Sequence, residues 1–166
     1  MRFSLTPSDA TPLDGFLVFT ESDHAFGFQP GSPMVLRELI GNAGVTSLSI
    51  ETLQIEVAVA SRVVLFVWGL HPRARWQTGT LERPSARPGL LRLEDPVRLE
   101  AGASGVSIEL ESGVTWRTTY DPGTGWLRVA QAGDTKVGDR ILIATGTVID
   151  VLDGKINAVW LQPIFD

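Results

Sequence analysis

The sequence predicts an all-β fold, mainly antiparallel, built as a single-domain β-barrel or β-sandwich. Apolar residues recur at every second position through much of residues 46–161, the period of a half-buried strand. Clusters of Gly, Pro, Asp and Ser cut that pattern into short segments. The chain has 166 residues. A domain of this size buries roughly 70% of its unfolded surface without a metal or disulfide staple. One globular domain over residues 1–166 is expected, with 1–44 an irregular N-terminal segment carrying one strand and a short helix.

Bulk composition narrows the function classes. The hydrophobic fraction is 43% and the charged fraction 20%, typical of a globular chain and far from a disordered one. The net charge of −5 argues against nucleic acid as a partner. The absence of cysteine excludes disulfides, thiolate metal sites, iron–sulfur clusters and a cysteine nucleophile. The segment Met1–Pro7 lacks the apolar stretch of a secretory leader, and the longest apolar run, Val63–Trp68, is too short to span a bilayer. A soluble, cytoplasmic protein without a membrane partner is the resulting expectation.

The elements follow in chain order. Phe16–Phe19 is a short apolar run after Asp14 and Gly15 and reads as a strand. Pro33–Ile40 reads as a helix: Ser32 suits the N-cap, Pro33 the first turn and Gly41 the stop. Met34, Val35, Leu39 and Ile40 form its expected apolar stripe. From Thr46 the period becomes two. Leu48 and Ile50 hold one parity and Leu53, Ile55, Val57 and Val59 the other, so a turn or bulge is required near Glu51 and Thr52. Val63–Trp68 reads as a central strand covered on both faces, in a hairpin with Leu53–Val59 through Ala60, Ser61 and Arg62.

Weaker strands are expected at Arg75–Leu81, Leu90–Leu93 and Val97–Leu99, broken into edge-like pieces by Pro84, Pro88 and Pro96. A meander then runs through Val106–Leu110, a turn at Ser112 and Gly113, and a strand with Val114, Trp116, Thr118 and Tyr120 on one face. After the turn Asp121–Gly125 comes Trp126–Ala130. Gly138 and Asp139 precede a closing hairpin of Ile141–Ile149 with Ile156–Leu161, turned at Asp153 and Gly154. The total is roughly ten strands, and the short connections favour a meander over Greek-key crossings.

One segment gathers chemistry: Trp68-Gly69-Leu70-His71-Pro72-Arg73-Ala74-Arg75-Trp76 leaves a buried strand and collects one histidine, two arginines and two tryptophans in a Gly/Pro loop. Arg73 and Arg75 can fork onto a carboxylate or phosphate, and His71 titrates near neutrality when solvated. With Trp116 and Tyr120 on a nearby strand face, the candidate ligand-binding residues are Trp68, His71, Arg73, Arg75, Trp76, Trp116 and Tyr120. The plainer reading of the loop is a surface connection whose tryptophans complete the core. Arg83, Arg87, Arg92 and Arg98 read as a solvated edge that resists aggregation, or as an anion-binding face. Glu109 and Glu111 share a strand face, which solvent exposure explains better than paired acid–base work. Asp139, Asp150 and Asp153 read as turn residues. His24 and His71 are the only histidines, so a three-histidine metal site is impossible, and no short motif supports a mixed His/carboxylate site. No G-x-S-x-G elbow, P-loop or dinucleotide-binding glycine motif occurs. No catalytic residue, metal ligand or cofactor is assigned.

Three functional readings follow. The first is a non-enzymatic β domain binding a small anionic or partly apolar ligand. The second is a structural or interaction module that forms a homo-oligomer. The third is an enzyme using His71 or an Asp or Glu as acid or base and Arg73 or Arg75 to stabilise negative charge.

Overall fold

The computed structural model describes residues 1–9, 12–94, 108–133 and 135–166. The strand expected at Val97–Leu99, and with it Pro96, Arg98 and Val106, lies outside the described residues. The strands are β1 (Phe3–Pro7), β2 (Gly15–Thr20), β3 (Ala25–Pro30), β4 (Val45–Ile50), β5 (Leu53–Ala58), β6 (Val64–Leu70), β7 (Trp76–Thr78), β8 (Arg87–Leu93), β9 (Ile108–Glu109), β10 (Trp116–Asp121), β11 (Trp126–Gln131), β12 (Asp139–Ala144), β13 (Thr147–Leu152), β14 (Lys155–Leu161) and β15 (Ile164–Phe165). The helix α1 spans Pro33–Ile40, and the Ser32 hydroxyl accepts from the Val35 amide as its cap. None of the described helices is long and apolar enough to cross a membrane.

These strands form two sheets. One has eight strands in the order β1-β8-β12-β13-β14-β11-β10-β7, the other seven in the order β15-β2-β3-β6-β5-β4-β9. The barrel alternative is thereby replaced by a sandwich-like pair of open sheets. The outermost strands have five, three, two and two residues, too short to pair round into a cylinder.

The core lies between the sheets. Phe19, Ile55, Leu65 and Val67 of the seven-stranded sheet meet Leu91, Leu127, Ile141, Ile149 and Val159 of the other in one cluster of buried side chains. A smaller cluster, Trp126, Ala130, Val148, Ala158 and Trp160, covers the outer face of the eight-stranded sheet. This gives β14 burial on both faces from Ile156 to Leu161. The same double burial was expected of Val63–Trp68. There it holds only for Val63, Val64 and Leu65, because farther along the outward side chains Trp68 and Leu70 are 40% and 56% exposed.

Several local expectations take concrete form. The parity change after Ile50 is a tight turn with Glu51 at φ 54°, and β4 pairs antiparallel with β5 through it. Arg62 at φ 58° turns the chain into β6. Asp153 and Gly154, at φ 51° and 75°, make the β13–β14 hairpin turn, the left-handed pair that suits a two-residue loop.

Other expectations are corrected. Residues 1–44 contribute three strands, not one. The pure meander fails: β7–β10, β8–β12, β2–β15 and β4–β9 are parallel pairs between strands distant in sequence. The segment Ile141–Ile149 is two strands, because Gly146 at φ 73° turns the chain back between them. Strand β8 is internal, not an edge. Its Pro88 lies beyond the last pairing with β1, at Pro7–Gly89, and is flanked only by Leu142, so its missing amide leaves no ladder bond unmade on that side. On α1, Leu36 and Ile40 pack on the core while Met34, Val35 and Leu39 stay exposed, so the expected stripe is rotated toward the core by Leu36.

Asp150 is no turn residue. It sits in β13 with 1% exposure, accepting from Gly138 N (2.9 Å), Arg140 Nε (3.1 Å) and Asn157 Nδ2 (3.4 Å). Asn157 also donates to the Lys136 carbonyl at 3.0 Å, so the strand pair anchors the incoming segment from both sides. Gly138 fits there because a Cβ would meet the Val151 carbonyl oxygen at 2.1 Å. Asp150→Ala strands a half-buried guanidinium and an amide, and is expected to lower the unfolding free energy by about 3–5 kcal/mol. The urea midpoint should drop at unchanged slope. A loss below about 1 kcal/mol would show that water replaces the carboxylate.

Candidate functional site

The loop singled out by sequence is the crossing between the two sheets. Strand β6 lies at the centre of the seven-stranded sheet, and β7 forms an edge of the other. Gly69 at φ 105° begins the departure, where a Cβ would meet the Thr52 carbonyl oxygen at 2.9 Å. The His71 amide then donates to the His24 carbonyl (2.7 Å), and Arg73–Arg75 form a single 3-10 turn before β7.

The crossing buries His71 to 6% exposure. Its Nε2 shares a 2.7 Å hydrogen bond with the Thr118 hydroxyl on β10. Burial, and to a lesser extent the neighbouring Arg75 guanidinium, together push its pKa down to about 4. The imidazole is therefore neutral at physiological pH.

Beside it lies a cleft of about 130 Å³, lined by Glu51, His71, Arg75, Gln77, Trp116 and Arg117 among others. Arg75 reaches Glu51 at 3.7 Å, and both side chains are largely exposed. The tight turn between β4 and β5 thus supplies the cleft's acid. Sequence reasoning placed that turn but not its role, and it missed Gln77 and Arg117 altogether. Only the parallel pairing of β7 with β10, which sets Trp76 against Thr118, brings those positions together.

The remaining candidates divide. Arg73, Trp76 and Tyr120 build an aromatic plug at the end of the sandwich. Trp76 packs on Phe19 (4.8 Å between ring centres), Tyr120 (5.7 Å) and His71 (6.0 Å). The Arg73 guanidinium lies 5.6–5.9 Å from the centres of Trp76, Tyr120 and Phe165 and pairs with Glu21. Trp68 stands apart on the outer face of the seven-stranded sheet. Its indole N–H donates to the buried Glu56 carboxylate, which also accepts from the Ser47 hydroxyl at 3.1 Å. Burial raises the Glu56 pKa, and the two donors oppose that rise. Thus His71, Arg75 and Trp116 meet in the cleft, the plug adjoins it, and Trp68 belongs elsewhere.

The other acidic candidates are spoken for or dispersed. Lys155 pairs with Glu111 at 2.8 Å and holds its carboxyl below the usual range, while Glu109 is exposed on β9. Among the described residues, no three His, Asp or Glu side chains gather as a metal site. No protein-family model matches this sequence, and no curated protein matches it either.

The buried histidine makes stability depend on pH. Between about 4 and the ordinary value of 6.5, the unfolded chain carries a proton on His71 that the folded chain does not. The resulting stabilisation is complete above 6.5 and is lost as pH falls through about 4, a total of roughly 3 kcal/mol. Urea titrations of wild type and His71→Leu from pH 7 to 4 should converge by this amount. Parallel profiles would show that the imidazole is solvated in the folded chain.

Proposed function

We infer that the domain binds a small ligand without transforming it, through an anionic group seated in the His71–Arg75–Trp116 cleft. The carrying observation is the Arg75 guanidinium of the crossing loop at a cleft that Arg117 of β10 also lines and in which, among the described residues, Glu51 is the one acid. That acid pairs with Arg75 only at 3.7 Å, so an incoming carboxylate or phosphate competes with a weak, solvent-screened ion pair. A volume of about 130 Å³ admits such a group and leaves the rest of the ligand outside, against the exposed side chains of the rim. Neutral, Thr118-bound His71 offers a desolvated wall and one hydrogen bond. Its pKa of about 4 lies well below the operating range of an efficient general base, which weighs against the enzymatic reading. A cytoplasmic setting, as expected from the sequence, belongs to this proposal.

A second reading, a homo-oligomer, is favoured by one observation. The outward side chains Phe16, Trp68, Leu70 and Ile164 of the seven-stranded sheet are 40–56% exposed, apolar groups on one sheet face that a second copy could cover. Light scattering across a concentration series separates a closed dimer from a monomer.

Calorimetric titration with inorganic phosphate and with succinate tests the first reading. Saturable binding is expected, with Arg75→Ala weakening it by about 10-fold to 100-fold, the worth of one charged hydrogen bond. Arg92→Ala, remote from the cleft, should leave it unchanged. Equal weakening in both variants, or no saturation by either anion, would overturn the assignment.

A further inference from the structure

A second site lies at the corner where the two sheets meet. Isolated bridges, Leu13 to Ala144 and Val63 to Arg92, stitch the sheets together there. Between the bridges opens a groove of about 440 Å³. Its floor is Leu13, Val63, Leu65 and Ile143, each 8% exposed or less, so it reaches the main core. Its roof is Val35 and Leu39, one turn apart on α1, 45% and 38% exposed. The helix commits Leu36 and Ile40 to the core and holds this second pair over the opening.

The lining tells what the groove takes. Among the described residues its side chains are apolar except for Asp14, the one ionisable group at its edge. The Asp14 carboxylate has Thr145 Oγ1 at 3.4 Å and, among the described residues, no cation paired with it. Its position is fixed by the backbone: the Gly31 amide donates to the Asp14 carbonyl at 2.9 Å, and the Leu13 amide donates to the Ile143 carbonyl at 3.2 Å. The volume falls within the range of small-molecule sites, roughly 300–1,000 Å³, and the near-absence of polar groups disfavours anything that must be hydrogen-bonded along its length. A fatty acid would set its carboxylate against Asp14.

We propose that this groove binds an unbranched aliphatic chain ending in a cationic amine, with the chain lying under Val35 and Leu39 and the amine on the Asp14 carboxylate. The site is independent of the anion cleft, because the two share no lining residue.

The test is calorimetric titration of the intact protein with octylamine, decylamine, octanol and octanoate, all below their critical micelle concentrations. Octylamine is expected to bind at a single site, and decylamine more tightly by about fourfold for each added methylene. Octanoate should be the weakest. Asp14→Asn should bring octylamine to the level of octanol. Leu39→Ser, on an exposed helix face where it spares the fold, should weaken every chain about 10-fold, whereas Leu70→Ser on the outer sheet face should change none. Arg75→Ala should leave amine binding intact, so failure here is distinguishable from failure of the anion cleft. Equal affinity for octylamine and octanoate, no response to Leu39→Ser, or no saturable binding would each overturn the proposal.

Discussion

The arrangement of this domain depends on burying two sheets against each other with a chain that repeatedly leaves one for the other. Burial of apolar area between them is the dominant favourable term. Each passage must carry polar backbone, and sometimes polar side chains, past that core. The passage from β6 to β7 is the consequential one. It drives His71 out of water, sets Arg73 over three aromatic rings, and leaves Arg75 at the surface. The anion cleft and the aromatic plug are two sides of this one crossing.

Three buried ionisable groups show different ways of meeting the cost of burial. Asp150 remains where an arginine, an amide and an asparagine converge on it, so its negative charge is matched by donors. Glu56 has only neutral donors, Trp68 and Ser47, and its proton affinity rises. His71 has a hydroxyl partner and a nearby positive charge, and it gives up its proton. The first group anchors a segment of backbone. The second holds the Trp68 ring on the sheet surface. The third makes one wall of the cleft acid-sensitive.

Much of the local structure was legible in the residues. Ser32, Pro33 and Gly41 marked the ends of α1 to the residue, because capping is chemistry within one turn. The parity change at Ile50 and Leu53 demanded a turn, and Asp153–Gly154 demanded a hairpin, because both constraints act over a few residues. The candidate loop at 68–76 was visible as an excess of Arg, Trp and His after an apolar strand. Its partition was not visible. Alternation sets Trp68 and His71 on opposite sides of the chain, but which side meets the cleft depends on Glu51 and Arg117, which come from elements far away in sequence.

By itself, the sequence determined the all-β class, the helix and its caps, the tight turns, and the segment in which charged and aromatic residues concentrate. Each of these follows from interactions spanning a handful of residues. Only the tertiary structure decided that the sheets stay open, that parallel pairs interrupt the meander, that Asp150 is buried, and that α1 turns Val35 and Leu39 over an apolar groove instead of into the core. These outcomes depend on which distant strands share a sheet. That choice is set by the summed burial of the whole core, which no local window of residues contains.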